Sequence, residues 1–300
     1  RIVKKLPYDE QVIDFMVAAI RHLRAKGVRT PAVMRALDGR HRVRLNGEWY
    51  AVFEAVPGRK PKYKRKEELA AIMRAMAEFH KASKGFVPPP GGIPRARLPE
   101  DWKRARAAER AQLAAWRSAA LNKEQPDEFD RLLSSWGAAL LAQCDAAIEG
   151  LQFAGFDRWV EAARRTHALC HLDFAAGNLV LTADGALHVV DMDTVAVEAP
   201  SADLRKIVNK VMRQLPSWDP ETMMFMLREY RTVHPLTDGQ LRAVLADVAF
   251  PHLSFEQIAK YAAKREAGEE DAELLAKVRR MIALDVSKAS ALRGVHAAIR

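Results

Sequence analysis

Leu169-Cys170-His171-Leu172-Asp173-Phe174-Ala175-Ala176-Gly177-Asn178, then Leu179 to Val190, then Asp191-Met192-Asp193, is the stretch on which the fold turns. It interrupts a chain that otherwise reads as helical from Asp101 onward. Two short apolar runs, Leu179-Val180-Leu181 and Leu187-His188-Val189-Val190, flank Asp184-Gly185, a dipeptide that signals a two-residue hairpin turn. If Ala183 pairs with Ala186, then Leu181 falls opposite His188, Leu179 opposite Val190, and Asn178 opposite Asp191. That register brings an amide oxygen and a carboxylate to one end of a rigid hairpin, with Asp173 on the loop before it. Three hard oxygen ligands or bases converge there.

Such a set suits Mg²⁺, which takes one or two carboxylates and completes its shell with water and substrate phosphates. It suits phosphoryl transfer in particular. In that chemistry a loop Asp accepts the proton of the attacking hydroxyl, an Asn binds metal, and a second Asp beyond a hairpin bridges metal to the nucleotide phosphates. Asp173 and Asn178 stand five residues apart, and Asp191 lies where the hairpin returns. Asp193 either joins the ligands or caps the next segment. His171 is counted with the catalytic group as the residue that orients the loop through hydrogen bonds. Cys170, in an apolar stretch, reads as packing rather than as a nucleophile.

Outward from this centre the elements are simpler. Arg1 to Leu6 reads as a strand, and Val12, Phe15, Met16, Ala19, Ile20 and Leu23 mark an amphipathic helix stopped at Gly27. Val33 to Val43 and Trp49 to Val56 are expected as strands, with turns at Asp38-Gly39 and Asn46-Gly47. The run Arg59 to Lys66 is the strongest charge block and reads as a solvated linker. Leu69, Ile72, Met73, Met76 and Phe79 recur at helical spacing. Helices follow over Trp102 to Leu121, Phe129 to Ile148 and Phe156 to Ala163. Further helix starts are expected at Asp219-Pro220-Glu221 and, by capping-box logic, at Thr237-Asp238-Gly239-Gln240.

Composition sets the outer bounds. The 300 residues are 49% hydrophobic and 29% charged, with two cysteines, Cys144 and Cys170. That excludes a disordered chain and a disulfide framework, and points to a reduced, intracellular setting. No apolar run approaches the ~18 residues needed to span a bilayer. A net charge of +10 favours anionic partners. The six tryptophans are not interleaved with a basic stripe, so nucleic-acid binding has no motif behind it.

The catalytic stretch resembles the core of the aminoglycoside and choline phosphotransferase superfamily. Further pieces, Glu78 to Phe86, Asp203-Leu204-Arg205-Lys206, Trp218-Asp219, Arg231 to Leu236 and Phe250-Pro251, resemble the CotS-type kinase-like family of spore-coat proteins. The resemblance implies an α+β, protein-kinase-like, two-lobed fold: a nucleotide-binding N-lobe over residues 1–56, a hinge over 57–65, and a helical C-lobe over 66–300 that faces the acceptor. It implies ATP and Mg²⁺ as cofactors, Asp173 as base, and Asn178, Asp191 and Asp193 as metal ligands. Lys4 would hold nucleotide phosphates, and adenine would meet Phe53, Glu54, Ala55 and Val56. The family's glutamate partner for Lys4 has no clear counterpart, since the helix offers Met16 and Val17 there, with Glu10 and Asp14 earlier. A glycine-containing hairpin is expected upstream of Arg1.

The acceptor is expected to be a hydroxyl on a small molecule or glycan, a sugar or polyol rather than an aminoglycoside, with Asp203 and Arg205 on the acceptor side. A cytoplasmic location is expected, with neither nucleic acid nor membrane as partner; the resemblance also allows the spore coat as location and other coat proteins as partners. The alternative is a structural coat protein that keeps the fold without turnover.

Overall fold

The computed structural model describes residues 1–96, 99–269 and 271–299. Two compact units are present. The first comprises Arg1–Leu98, Arg158–Ile207 and Phe225–Leu236, and the second Pro99–Asp157, Val208–Met224 and Thr237–Arg300. They recruit non-consecutive segments, so they divide the chain by packing and not along the segments 1–56, 57–65 and 66–300 that the resemblance implies.

In chain order the elements begin with β1 (Ile2–Leu6), α1 (Glu10–Ala25), β2 (Val43–Leu45), β3 (Glu48–Phe53) and α2 (Lys66–Ala82). Next come α3 (Pro99–Leu121), α4 (Glu128–Leu151), α5 (Ala154–Arg165), β4 (Leu169–Cys170), β5 (Leu179–Leu181), β6 (Leu187–Val189) and β7 (Ala196–Val197). The remainder is helical: α6 (Ser201–Met212), α7 (Pro220–Arg231), α8 (Asp238–Ala249), α9 (His252–Glu266) and α10 (Ala272–Ile299). This is the mixed α+β chain expected from the sequence, with a small strand-rich N-terminal region.

In the first unit an antiparallel sheet runs in the order β1-β3-β2, with Lys4 opposite Ala51. Asn46 and Gly47 both have positive φ, 51° and 83°, as the expected two-residue turn requires. α1 ends where Gly27 turns left-handed: the Val28 N–H reaches Leu23 O (2.9 Å) and the Gly27 N–H reaches Arg24 O (3.0 Å), which satisfies the last carbonyls. Ile13, Phe15, Met16, Ala19, Ile20 and Leu23 line its buried face. The strand expected over Val33 to Val43 does not form as such. Val33 makes only an isolated bridge to Phe53, while Ala36 to Arg40 close a loop of their own through a 2.7 Å hydrogen bond from the Ala36 N–H to Arg40 O. Asp38 accepts from the Arg40 N–H in that loop, and the polar run beyond it has no alternating apolar face to bury.

The basic run after β3 is not a free linker. Glu68, at the start of α2, accepts two bonds from Arg59 (2.8 and 3.0 Å), one from the Lys62 N–H (2.7 Å) and one from Arg65 (3.1 Å). These donors, the Arg59 guanidinium foremost, pull the Glu68 carboxyl down to about 2. Arg59 also forms a two-way backbone bridge with Leu181 of β5 (3.0 and 2.7 Å). Gly58 sits against that strand with no room for a side chain.

In the second unit, Leu113, Phe129, Leu133, Leu140, Phe250, Ile258, Tyr261 and Val278 build an apolar core among α3, α4, α9 and α10. Its helix starts follow sequence rules. Thr237 and Gln240 cap α8 reciprocally, and Asp219 accepts from the Glu221 and Thr222 N–H groups ahead of α7. Among the described residues no helix is long and apolar enough to cross a membrane.

A Cβ on Gly58 would lie 2.6 Å from both the Leu181 carbonyl oxygen and Val180 Cγ1. Gly58→Ala is therefore expected to lower stability by ~1–3 kcal/mol, because overpacking against fixed backbone outweighs the few tenths to ~1 kcal/mol gained from a stiffer unfolded chain. Urea denaturation would measure it; an unchanged midpoint would contradict the close approach.

Candidate active site

The loop between β4 and β5 carries His171, Asp173 and Asn178, and its shape is set from below by Asp203. That carboxylate lies near the start of α6 with no exposed surface. Its Oδ2 accepts from the His171 N–H (2.7 Å) and from His80 Nε2 (3.1 Å), and its Oδ1 accepts from the Leu172 N–H (2.7 Å). Burial alone would raise the Asp203 pKa, but the His80 bond and the loop amides outweigh it and hold the carboxyl below its ordinary value. Lys206, one turn along α6, donates to Leu172 O, and Thr194 Oγ1 donates to His171 O (2.6 Å). Clamped in this way, Leu172 adopts a left-handed φ of 61°, a conformation that costs a branched residue about 1 kcal/mol.

His171 is fully buried. Its Nδ1 accepts from the Asp173 N–H (3.2 Å) and its Nε2 donates to Val190 O (3.0 Å), so the ring ties the loop to the strand beyond the hairpin. Burial holds its pKa below the usual histidine value, consistent with a neutral ring. The ring thus ties the loop to the strand end through both nitrogens. Asp173 is half-buried, and Asn178 Nδ2 donates to its Oδ2 (2.6 Å) and to its backbone carbonyl (3.0 Å). The Tyr63 hydroxyl accepts from the Ala176 N–H (2.8 Å) and steadies the same loop.

The hairpin register differs by one residue from the sequence expectation. Leu179 pairs with Val189 and Leu181 with Leu187. Gly185 alone has positive φ (80°), Asp184 accepts from the Ala186 N–H (3.3 Å), and the Gly185 N–H bonds Thr182 O (3.0 Å). Only one residue of the dipeptide turns left-handed, so the loop has three residues in place of two. Val190 therefore bonds Asn178 O (2.9 Å), and Asp191 lies one position beyond. Its own left-handed backbone, φ 63° and ψ 59°, is where the strand ends and the next turn begins.

Lys4 reaches this point from β1. Its ammonium binds Asp191 and lies 2.6 Å from Asp193 Oδ2. Burial disfavours the charged amine, yet the two carboxylates outweigh burial and raise its pKa. The same cation, against burial, lowers Asp191, while Asp193 is raised by burial and by repulsion from Asp191. Two acids whose affinities for a proton are pushed apart around one cation form a site built for positive charge. Asp191, Asp193 and the amide oxygen of Asn178 are hard oxygen donors of the kind that fit Mg²⁺, and no sulfur or imidazole competes in the set.

Other residues singled out in the sequence lie elsewhere. Asp203 is not an acceptor contact, since it is fully buried and both oxygens are engaged in the loop clamp. Arg205 is half-buried on α6. Phe53 ends β3, and Glu54 and Val56 follow it; the Glu54 N–H bonds Ala32 O (2.9 Å) and its side chain accepts from the Ala32 N–H (3.2 Å). Glu10 and Asp14 do not reach Lys4; both bind the buried Arg42, Asp14 at 2.9 Å. Cys170 donates to Glu198 O (3.3 Å), and burial pushes its thiol well up, so it is packing. His80, Cys170 and Asp203 bring potential ligand atoms within 4.8 Å of one another, but His80 Nδ1 is taken by the Tyr230 hydroxyl (2.8 Å), and the group is a hydrogen-bond network. Sequence reasoning missed Tyr8 and Arg95: the Tyr8 hydroxyl lies 3.5 Å from Asp193 Oδ2, and Arg95 donates to Asp193 O. Neither has a sequence signal.

The phosphotransferase enzyme family model matches residues 1–236. The chain belongs to that family. It is 26% identical over 298 residues to spore coat protein S of Bacillus subtilis, covering 97% of this chain and 82% of the relative. Among solved structures, an aminoglycoside phosphotransferase from Alicyclobacillus acidocaldarius is similar with a TM-score of 0.83 at 20% identity, over 99% of this chain and 85% of that one. An amicoumacin kinase in complex with AMP-PNP and Ca²⁺ is similar at 0.63 and 17% identity, over 95% and 80%. The chain therefore has the kinase-like fold of the aminoglycoside phosphotransferases, and ATP and magnesium are typical of the family.

Asp203→Asn keeps the shape but turns one acceptor into a donor that faces an amide hydrogen or His80. A loss of ~2–4 kcal/mol is expected in chemical denaturation at pH 7. Because the folded carboxyl is held low, its contribution is full above the unfolded value near pH ~4 and is lost as pH falls through the folded value. The gap between wild type and variant should therefore be constant above pH ~4 and narrow below it. A gap that widens on acidification would contradict the clamp.

Proposed function

We propose that the chain transfers the γ-phosphoryl group of ATP to a hydroxyl of a small molecule or glycan. The observation that carries this reading is the joint arrangement of Asp173 with Asn178 on its carboxylate, and of Lys4 on Asp191 and Asp193. Asp173 takes the acceptor proton as the acceptor oxygen forms its bond to phosphorus and the bond between the β and γ phosphates breaks, releasing ADP. Lys4 holds the nucleotide phosphates as a point charge. Asn178 and Asp191 would hold Mg²⁺, which supplies charge neutralisation at the phosphates when bound. The segment Phe53–Val56 receives adenine, through backbone groups other than the Glu54 N–H already spent on Ala32.

The acceptor follows from charge. A chain at +10 is a poor match for a polycationic aminoglycoside, so a neutral or anionic sugar or polyol is favoured. Arg205 is the remaining acceptor-side candidate. The relative's printed name, spore coat protein S, favours a location at the spore coat among other coat proteins, and it also motivates a second reading: a coat component that retains the fold without turnover. The two readings differ in what the site must do. A non-catalytic scaffold has no physical need for a base, an amide oxygen and two carboxylates gathered round one lysine.

A thermal-shift assay with ATP, with and without Mg²⁺, separates them, since a ligand that binds only the folded state raises stability. Nucleotide-dependent stabilisation with turnover of a sugar or polyol is expected; no shift and no turnover would leave the coat-component reading standing. Asp173→Asn should lower turnover by at least ~10² while leaving nucleotide affinity near wild type, because the base meets the acceptor and not the nucleotide. Asp191→Ala should remove the Mg²⁺-dependent part of the shift. Selective turnover of aminoglycosides with none of neutral hydroxyl compounds would overturn the acceptor class.

A further inference from the structure

We propose that Asp193 is the residue that positions Lys4, in the role a helix glutamate fills elsewhere in such folds, and that Tyr8 and Arg95 brace it. The inference rests on the phosphotransferase reading and deepens it by giving the two acids of Asp191-Met192-Asp193 different tasks.

Four observations carry it. First, α1 has no acid available for Lys4, since Met16 and Val17 are buried apolar residues and Glu10 and Asp14 are bound to Arg42. Second, the acids differ in access: the Asp191 side chain is 44% exposed and that of Asp193 only 11%. An exposed carboxylate can exchange its ammonium partner for a solvated cation with phosphate attached. A recessed one already engaged from two sides cannot turn outward without leaving its partners unpaired. Third, Asp193 is fixed by its surroundings. The Tyr8 hydroxyl and Lys4 Nζ converge on the same oxygen, Oδ2, and the Arg95 guanidinium donates to the Asp193 carbonyl while lying 5.1 Å over the Tyr8 ring. Fourth, Tyr8 lies between β1 and α1, four residues from Lys4, so this support is tied to the strand that carries the lysine.

Asp191 would hold the metal, and Asp193 would keep Lys4 directed at the nucleotide phosphates. A lysine held by one recessed carboxylate keeps its direction, whereas one left only with Asp191 would compete with the metal for that acid. Asp193 is thus a positioning residue, and its loss acts through Lys4.

The test measures affinity for AMP-PNP in EDTA, and separately the Mg²⁺ concentration that half-saturates metal-dependent tightening. Asp193→Asn and Asp191→Asn are compared in wild-type and Lys4→Met backgrounds. Asp193→Asn should weaken metal-free affinity about tenfold, shift the Mg²⁺ midpoint by less than about twofold, and cost nothing further once Lys4 is Met. Asp191→Asn should raise the Mg²⁺ midpoint at least about tenfold. Tyr8→Phe, which keeps every charge, should weaken metal-free affinity in the same direction as Asp193→Asn by a smaller factor, and it carries the test if Asp193→Asn melts too low for binding to be read. The proposal is overturned if Asp193→Asn moves the Mg²⁺ midpoint as Asp191→Asn does, if its cost persists in the Lys4→Met background, or if Tyr8→Phe changes nothing. A wild-type chain that binds no nucleotide would defeat the phosphotransferase reading itself, which the wild-type measurement reveals before any variant is compared.

Discussion

Two amide hydrogens pointing at one buried carboxylate hold the active-site loop in its working shape. Without Asp203, the His171 and Leu172 N–H groups would be buried with no acceptor, and Leu172 would have little reason to stay in a left-handed conformation. Everything downstream depends on that fixed point. His171 receives the Asp173 N–H on one ring nitrogen and grips Val190 with the other, so the loop carrying Asp173 and the strand leading to Asp191 are held by one imidazole. Asn178 then closes onto Asp173. The order of support runs from a charged group with no exposure, through a neutral buried ring, to the half-buried carboxylate of Asp173, the proposed base.

Electrostatics set the second layer. A single ammonium from β1 is shared by two carboxylates and favours the ionised form of both, while burial of Asp193 and its repulsion from Asp191 leave Asp191 the more readily ionised. Such an arrangement is costly to build from burial alone and is repaid where a cation must be received. The same economy of one acid serving many donors recurs at Glu68, which gathers Arg59, Lys62 and Arg65 and turns a repulsive basic run into an ordered segment bridged to β5.

Features governed by neighbours in sequence are legible in the sequence itself. The Thr237 and Gln240 capping box, the Asp219-Pro220 helix start and the Asn46-Gly47 turn depend on a few adjacent residues and appear as read. The spacing of Asp173, Asn178 and Asp191 was legible too, because it belongs to one loop and one hairpin. The register was not. Asp184-Gly185 is compatible with a two-residue or a three-residue turn, and the choice fell to side-chain bonds of Asp184 and Thr182. Long-range roles were beyond reach: Asp203 finds its loop partners 31 and 32 residues away through backbone atoms that carry no sequence signature. Lys4 meets Asp191 across 187 residues. The fragments around His80 and Asp203, which marked the family without a chemical reason, acquire one in the bond that joins them.

The central proposal is that the clamped loop presents Asn178 and Asp191 to a divalent cation. The most direct measurement is anomalous diffraction from crystals grown with Mn²⁺ and AMP-PNP. A peak within about 2.2 Å of Asn178 Oδ1 and of an Asp191 carboxylate oxygen, with the His171 and Leu172 amides still on Asp203, is the predicted result. A peak away from both residues, or a loop released from Asp203 in the complex, would contradict it.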